Sequence, residues 1–176
     1  MQWVYFPLHP DTPAGGLALE DLFAGRGYDL DAMHARMQQL MDAEGLPYRR
    51  RTHTYNSRLA QELAKWADGG PGGAAVHDAL YKTYFVEGRN LADAGVLVDA
   101  ARSAGVSTDE AQKVLRDRTF KGAVDADWEK ARQYGINAVP SFAAGGYKLI
   151  GAHPYEVLAQ FAQAAGAHPT DDSRHS

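Results

Sequence analysis

The sequence predicts an α/β fold with a short mixed sheet, a large helical insertion, and a C-terminal β-hairpin followed by a helix. Three observations predict it. Met1-Gln2-Trp3-Val4-Tyr5-Phe6 is aromatic and β-branched, the composition of a strand, and Pro7 and Pro10 break it. From Leu17 to Tyr134, apolar residues recur at helical spacing between Gly and Pro breakers. From Pro140 an apolar strand reaches Ala144, Gly145-Gly146 turns the chain, Tyr147-Lys148-Leu149-Ile150 runs back, and a helix follows near Tyr155. The 176 residues read as one domain over 1–167, large enough to bury a core. Within it, 1–10 is first strand and loop, 17–134 the helical insertion, and 135–167 the hairpin and closing helix. The polar tail, 168–176, is expected to be disordered.

Each element has a local cause. A proline has no N–H, so Pro7 and Pro10 stop the first strand and Asp11-Thr12-Pro13-Ala14-Gly15-Gly16 reads as a loop. Leu17 to Ala24 reads as a short helix that Gly25-Arg26-Gly27 ends. Asp29 or Asp31 can cap the next helix, whose Met33, Met37, Leu40 and Met41 fall at helical spacing and are expected in the core. Gly45-Leu46-Pro47 stops that helix, and Tyr48 to Tyr55 reads as extended. Asn56 or Ser57 caps a helix carrying Leu59, Leu63, Ala64 and Ala67. After the breaker Gly69-Gly70-Pro71-Gly72-Gly73, Val76, Leu80, Tyr84 and Phe85 mark another apolar helical face. Leu91, Val96, Leu97 and Val98 mark the next. Ser107 with Glu110 three residues on is a capping-box signature ahead of Val114 and Leu115, and Asp125 or Asp127 opens the last helix before Gly135.

Composition removes several function classes. Eighteen Lys and Arg against 22 Asp and Glu leave a formal charge of −4, which argues against nucleic-acid binding. The one basic run, Arg49-Arg50-Arg51, reads as a solvated strand edge. No apolar stretch reaches the ~20 residues of a membrane span and no signal-peptide pattern occurs, so the expected location is cytoplasmic and no membrane partner is expected. There is no cysteine, which excludes disulfides, thiolate nucleophiles and zinc–thiolate sites. The glycine run has no strand before it and no Gly-Lys-Ser/Thr ending, so it is not a phosphate loop. The seven His include no His-Glu-x-x-His pair, and His53, His77 and His153 read as surface or loop residues. No metal or cofactor is expected. The acid pairs Asp109–Glu110 and Asp125–Asp127 are expected at helix starts, where they complement the dipole.

Pro140 can open a strand but cannot sit in its middle. By itself it reads as an ordinary trans proline, since only about 5–6% of X–Pro bonds in folded proteins are cis. Its setting carries a resemblance. Val139-Pro140-Ser141-Phe142, the Gly-Gly hairpin, the returning strand, Gly151-Ala152-His153-Pro154-Tyr155-Glu156-Val157-Leu158 and the closing helix together resemble the C-terminal half of a DsbA-like thioredoxin fold. Three more stretches resemble the FrnE branch of that family: Val4-Tyr5-Phe6-Pro7-Leu8-His9-Pro10, Asn56-Ser57-Arg58-Leu59-Ala60-Gln61-Glu62-Leu63, and Leu80-Tyr81-Lys82-Thr83-Tyr84-Phe85-Val86-Glu87-Gly88-Arg89-Asn90-Leu91. Gln61 stands where the family usually has His. Together the stretches cover nearly the whole chain in the family's order.

The resemblance implies an incomplete thioredoxin-like fold. It implies that Pro140 is cis and that the backbone of Val139 and Pro140 holds an extended peptide or thiol ligand. By analogy Asn56 and Ser57 approach the same cleft, although a helix N-cap worth ~1 kcal/mol accounts for either residue. His9 follows the first strand and is the histidine placed nearest that cleft. Family members begin with a strand, a Cys-x-x-Cys turn and the helix it caps, and none of these is in the sequence. The missing strand would lie between Met1–Phe6 and Pro140–Ala144. Strands sit ~4.8 Å apart, so its loss opens a gap of about twice that. Either the flanking strands close up, or a second copy completes the sheet as a homodimer, or the protein is N-terminally shortened, which is the expectation here. The function implied is that of the disulfide oxidoreductase family, redox-inactive without cysteine because exchange needs a thiolate. The alternatives are a non-redox peptide-binding or assembly module and a kappa-type glutathione-dependent isomerase or transferase.

Overall fold

The computed structural model describes residues 2–70 and 72–167. They form two compact units, Pro7–Asp127 and a smaller one built from 2–6 with 128–167.

The larger unit is helical. It opens with strand β1 (Leu17–Ala18), which runs antiparallel to β2 (His53–Thr54) with Leu17 opposite Thr54 and Ala18 opposite His53. The helix expected from Leu17 therefore starts two residues later, as the single turn α1 (Leu19–Leu22). The reason is the pairing itself, which takes Leu17 and Ala18 into a ladder. Helix α2 (Leu30–Ala43) begins where Asp29 accepts a 2.9 Å hydrogen bond from Ala32 N–H. Its methionines depart from expectation. Met33 and Met37 are each 44% exposed, Leu40 is 53% exposed, and no residue of α2 is buried. Asp31 to Arg50 and His34 to Tyr48 contacts tie α2 to the β2 approach. Helical spacing marks the stripe but does not say what covers it.

The core is built on α3 (Arg58–Asp68), α4 (Gly73–Tyr81), α5 (Ala94–Ser103) and α6 (Thr108–Asp117). Helix α3 packs on α4 and α6, and α5 on the same two. Leu63, Val76 and Leu97 are fully buried, each worth about 2 kcal/mol of transfer free energy. Gly72 shows one reason for the glycine-rich link, because a Cβ there would lie 2.2 Å from Val106 Cγ1. Helix α4 runs on into a π-helical turn, Lys82–Val86, that buries Thr83 and brings Tyr84 and Phe85 side by side. Ser107 accepts from Glu110 N–H at 3.3 Å, as its spacing predicts. Helix α7 starts at Lys121 and runs to Gln133, so Asp125 and Asp127 sit inside it rather than capping it. Both find cations instead. Asp125 meets Arg58 at 2.6 Å and Asp127 meets Lys65 at 2.7 Å.

The smaller unit contains the hairpin, β3 (Ser141–Ala144) and β4 (Tyr147–Ile150), followed by α8 (Tyr155–Ala164). The pair is antiparallel, with Ser141 opposite Ile150 and Ala144 opposite Tyr147. Gly145 and Gly146 have φ of 55° and 82°, the left-handed pair that a two-residue hairpin turn requires. Among the described residues the sheets are two, each two-stranded and antiparallel, in place of one mixed sheet. Residues 2–6 form no strand, contrary to their composition, because neither sheet extends a ladder to them. The segments expected to flank a missing strand have not closed into a ladder with each other. Of this unit's described residues only Ala131 is buried.

A Cβ on Gly145 would meet Ala165 Cα at 2.9 Å, whereas nothing lies within 4 Å of one on Gly146. Gly146→Ala should therefore cost roughly 1 kcal/mol from left-handed strain alone, and Gly145→Ala clearly more. Chemical denaturation of the two variants checks this, and equal losses would mean the turn does not abut the end of α8.

Candidate functional site

The expected site residues divide between the two units. His9, Asn56 and Ser57 belong to the helical unit, Val139 and Pro140 to the hairpin unit.

In the helical unit the proline-rich loop after Pro7 is held by short polar side chains. Thr12 is buried and donates to the His9 carbonyl from both its N–H (3.1 Å) and its hydroxyl (2.9 Å). Asn56 Nδ2 donates to the carbonyls of Pro10 (2.8 Å) and Thr12 (3.2 Å), while its Oδ1 accepts from Arg58 N–H at 2.9 Å. One residue thus starts α3 and fastens the loop across 46 positions of sequence. Asn90 does the same further along, with Nδ2 donating to Ala14 O and Oδ1 accepting from Ala92 N–H, both at 2.8 Å. Ser57 occupies the N-cap position but makes no capping bond; its hydroxyl accepts from Gln61 Nε2 at 3.1 Å. His9 is half-buried with a φ of 51°, and its carbonyl rather than its ring holds the loop together. These contacts assign Asn56 and His9 a loop-positioning role.

Sequence reasoning missed a charge cluster beside Asn56. Glu62 is fully buried on the apolar face of α3. Arg118 donates to both its oxygens at 2.7 Å, and Arg58 donates to one at 2.7 Å. Arg58 also donates to Lys121 O at 2.8 Å. Arg118 ends α6 in a left-handed conformation, φ 53°, so its backbone turn and its fork on Glu62 are set together. Burial pushes the Glu62 carboxyl up, but the hydrogen bonds from Arg118 and Arg58 outweigh it and hold it below the ordinary range. The available signal was positional: Glu62 lies three residues after Leu59 and beside Leu63, on the face that packs.

Of the basic run, Arg49 and Arg50 stay exposed, as a solvated edge should, and only Arg51 departs from it. Arg49 donates to Glu87 O at 2.9 Å and Arg50 pairs with Asp31. Arg51, expected in solvent, lies 4.6 Å over the Tyr84 ring and 4.9 Å over Phe85, and donates to the Tyr84 hydroxyl. That stacking is a cation–π contact, which an isolated Arg-Arg-Arg does not announce. Among the described residues no cluster of His, Asp and Glu could hold a metal ion. None of the described helices is long and apolar enough to cross a membrane.

In the hairpin unit the Val139–Pro140 peptide bond is cis. Val139 is 46% exposed and Pro140 is exposed too. Pro140 O accepts from Gly151 N–H at 2.8 Å, which fixes the phase of the ladder. Bonded pairs alternate along an antiparallel ladder, so Phe142 and Ala144 point their backbone groups at β4, and Ser141 and Ala143 point theirs away. No strand among the described residues pairs with that outer edge. Phe142 rests on Phe161 of α8, ring centroids 6.4 Å apart. An open groove of about 270 Å³ lies between Tyr134 and the hairpin turn.

The model of the DSBA-like thioredoxin domain family matches residues 1–163. The chain belongs to that family. Among solved structures it is similar to a "probable DsbA oxidoreductase" from Streptomyces coelicolor, 30% identical, with a TM-score of 0.78 over 92% of this chain and 73% of the other. It also shares its fold with a "putative protein disulfide isomerase" from Nitrosomonas europaea, 14% identical, TM-score 0.64, covering 87% of this chain and 77% of that one. No curated protein matches. This DsbA-like domain is thus a thioredoxin-type scaffold without a cysteine in its 176 residues.

Glu62→Gln leaves the Arg118 guanidinium without its ion-pair partner, while Arg58 keeps Asp125. It should cost about 3 kcal/mol, the low end for breaking a buried pair because Arg118 is partly exposed. The folded carboxyl sits below its unfolded value of about 4.3, so its contribution is complete above that pH and fades as pH falls through the lowered folded value. Denaturation midpoints between neutral pH and pH ~3 should therefore show a shallower acid loss in the variant than in the parent.

Proposed function

We propose that this chain is the substrate-holding part of a DsbA-type thiol–disulfide oxidoreductase of the FrnE branch, and that it is redox-inactive by itself. The observation that carries the reading is a DsbA-like scaffold with no sulfhydryl. Exchange proceeds by thiolate attack on a disulfide sulfur, and a chain without cysteine has nothing to attack with or to resolve a mixed disulfide. What it does have is a place for an extended polypeptide. The exposed Val139 and Pro140, joined by a cis bond, border the hairpin, and a peptide laid along their backbone would be held mainly by main-chain hydrogen bonds. Asn56 and His9 shape the loop of the helical unit in this reading. The truncation expected from sequence is part of the same proposal. In its support, the two solved relatives are longer, this chain covering 73% and 77% of them, and residues 2–6 keep a strand's composition outside either ladder.

Two measurements test it. In an insulin-reduction assay the purified chain should give the blank rate, and turnover above blank would contradict the chemical argument. Translation of the DNA upstream of the Met1 codon should reveal an in-frame Cys-x-x-Cys, and the chain extended to include it should reduce insulin. If no such frame exists and the chain still binds carboxymethylated insulin B chain, the non-redox peptide-binding module is the correct reading instead.

A further inference from the structure

We propose that the contact between His34 and Tyr48 is an acid-sensitive latch, which holds helix α2 against the 48–51 segment while the imidazole is neutral and releases it when the ring takes up a proton. The latch lies wholly within the helical unit and does not depend on the reading of the hairpin.

Each partner contributes one side chain. His34 Nδ1 and the Tyr48 hydroxyl lie 2.6 Å apart, and both residues are half-buried. A neutral imidazole accepts from the phenol at that nitrogen. An imidazolium cannot, since both of its ring nitrogens carry protons. Charge adds to this effect. Arg50 and Arg51 act on the ring from the segment that packs against it, and Asp31 acts from its own helix. Asp31 is already paired with Arg50. Burial first, then the two guanidinium charges, hold the His34 imidazole below its ordinary value. A hydrogen bond to the Arg51 backbone and the Asp31 charge pull the other way without prevailing. A proton on this ring adds a third positive charge beside two that are already there.

The helix yields to that charge, and the segment does not. Arg51 is pinned, its guanidinium 4.6 Å over the Tyr84 ring and 4.9 Å over Phe85, and bonded to the Tyr84 hydroxyl. The backbone on either side of it is tied as well. Arg49 N–H donates to Phe85 O at 3.1 Å, Leu19 N–H donates to Thr52 O at 2.9 Å, and His53 and Thr54 pair with β1. Helix α2 has no comparable hold. None of its residues is buried, and its second side-chain tie to the segment, Asp31 to Arg50, joins two exposed groups that water and salt screen. A helix attached this lightly opens as a local unit while the core of α3 to α6 stays closed.

The sign follows from the lowered value. An unfolded imidazole titrates near about 6.5. With the folded value below that, the latch is at full strength above about pH 6.5 and weakens as pH falls toward and through the lowered value. One pH unit below the unfolded value, the opening equilibrium gains at most about tenfold.

Amide hydrogen exchange of the whole chain at about pH 7.5 and about pH 5.5, corrected for intrinsic rates, reads this with α3 as internal reference. Both conditions lie above the ordinary carboxylate range. Helix α2 should lose several-fold of its protection at the lower pH, up to that about tenfold ceiling, while α3 keeps its own. His34→Gln keeps an acceptor for Tyr48 but does not titrate, and should abolish the step. Equal α2 protection at both pH values, or a step that survives in His34→Gln, overturns the latch. Should that variant open α2 even at the higher pH, NMR titration of the His34 ring in the parent decides. A midpoint below about 6.5 that coincides with the loss of α2 protection supports the latch, and a midpoint at or above it overturns it.

Discussion

Backbone donors and acceptors on a strand must be bonded to something, and the outer side of β3 is where this chain leaves that requirement open. Gly151 N–H to Pro140 O sets which residues of the hairpin look inward, and everything about the edge follows from that one bond and the alternation it starts. The same requirement explains residues 2–6. A run of Trp, Val, Tyr and Phe has the intrinsic preference for a strand, but a strand exists only as part of a ladder. The single buried residue among the described part of the hairpin unit expresses the same shortage at the level of packing.

The helical unit stands in contrast because its polar groups are settled internally. A buried carboxylate is a liability unless cations and hydrogen bonds surround it. Glu62 has both, and through Arg58 and Arg118 it links α3, the left-handed end of α6 and the first turns of α7. Asn56 and Asn90 do comparable service for the loop between Pro10 and Gly16, each bonding a local N–H with one amide atom and a distant carbonyl with the other. The stretch around Asn56 is therefore intelligible as scaffold: it starts a helix, fastens a loop and carries the buried acid directly after Gln61.

Much of this is legible in the sequence. The Gly145–Gly146 turn, the flanking strands and α8 follow from local signals that tertiary context does not override, as do the caps at Asp29 and Ser107 and the buried faces of α3 and α5. Other features depend on partners that a linear reading cannot see. Acids favour helix N-termini, which points to a start of α7 at Asp125 or Asp127, yet those acids answer Arg58 and Lys65 from another helix. A triple-arginine run is usually solvated, but Arg51 lies across two rings. The Met stripe of α2 has the spacing of a core face, and spacing alone cannot distinguish a covered face from an open one. The strand composition of Trp3, Val4, Tyr5 and Phe6 misleads for the converse reason. It reports a preference for a ladder, and neither described ladder includes these residues.

The free outer edge of β3 carries the reading, and residue-resolved amide hydrogen exchange tests it most directly. Phe142 and Ala144 N–H should be protected, since β4 holds them. Ser141 and Ala143 N–H should exchange freely. Protection of Ser141 and Ala143 matching that of Phe142 and Ala144 would show that the edge is already closed and would contradict the reading.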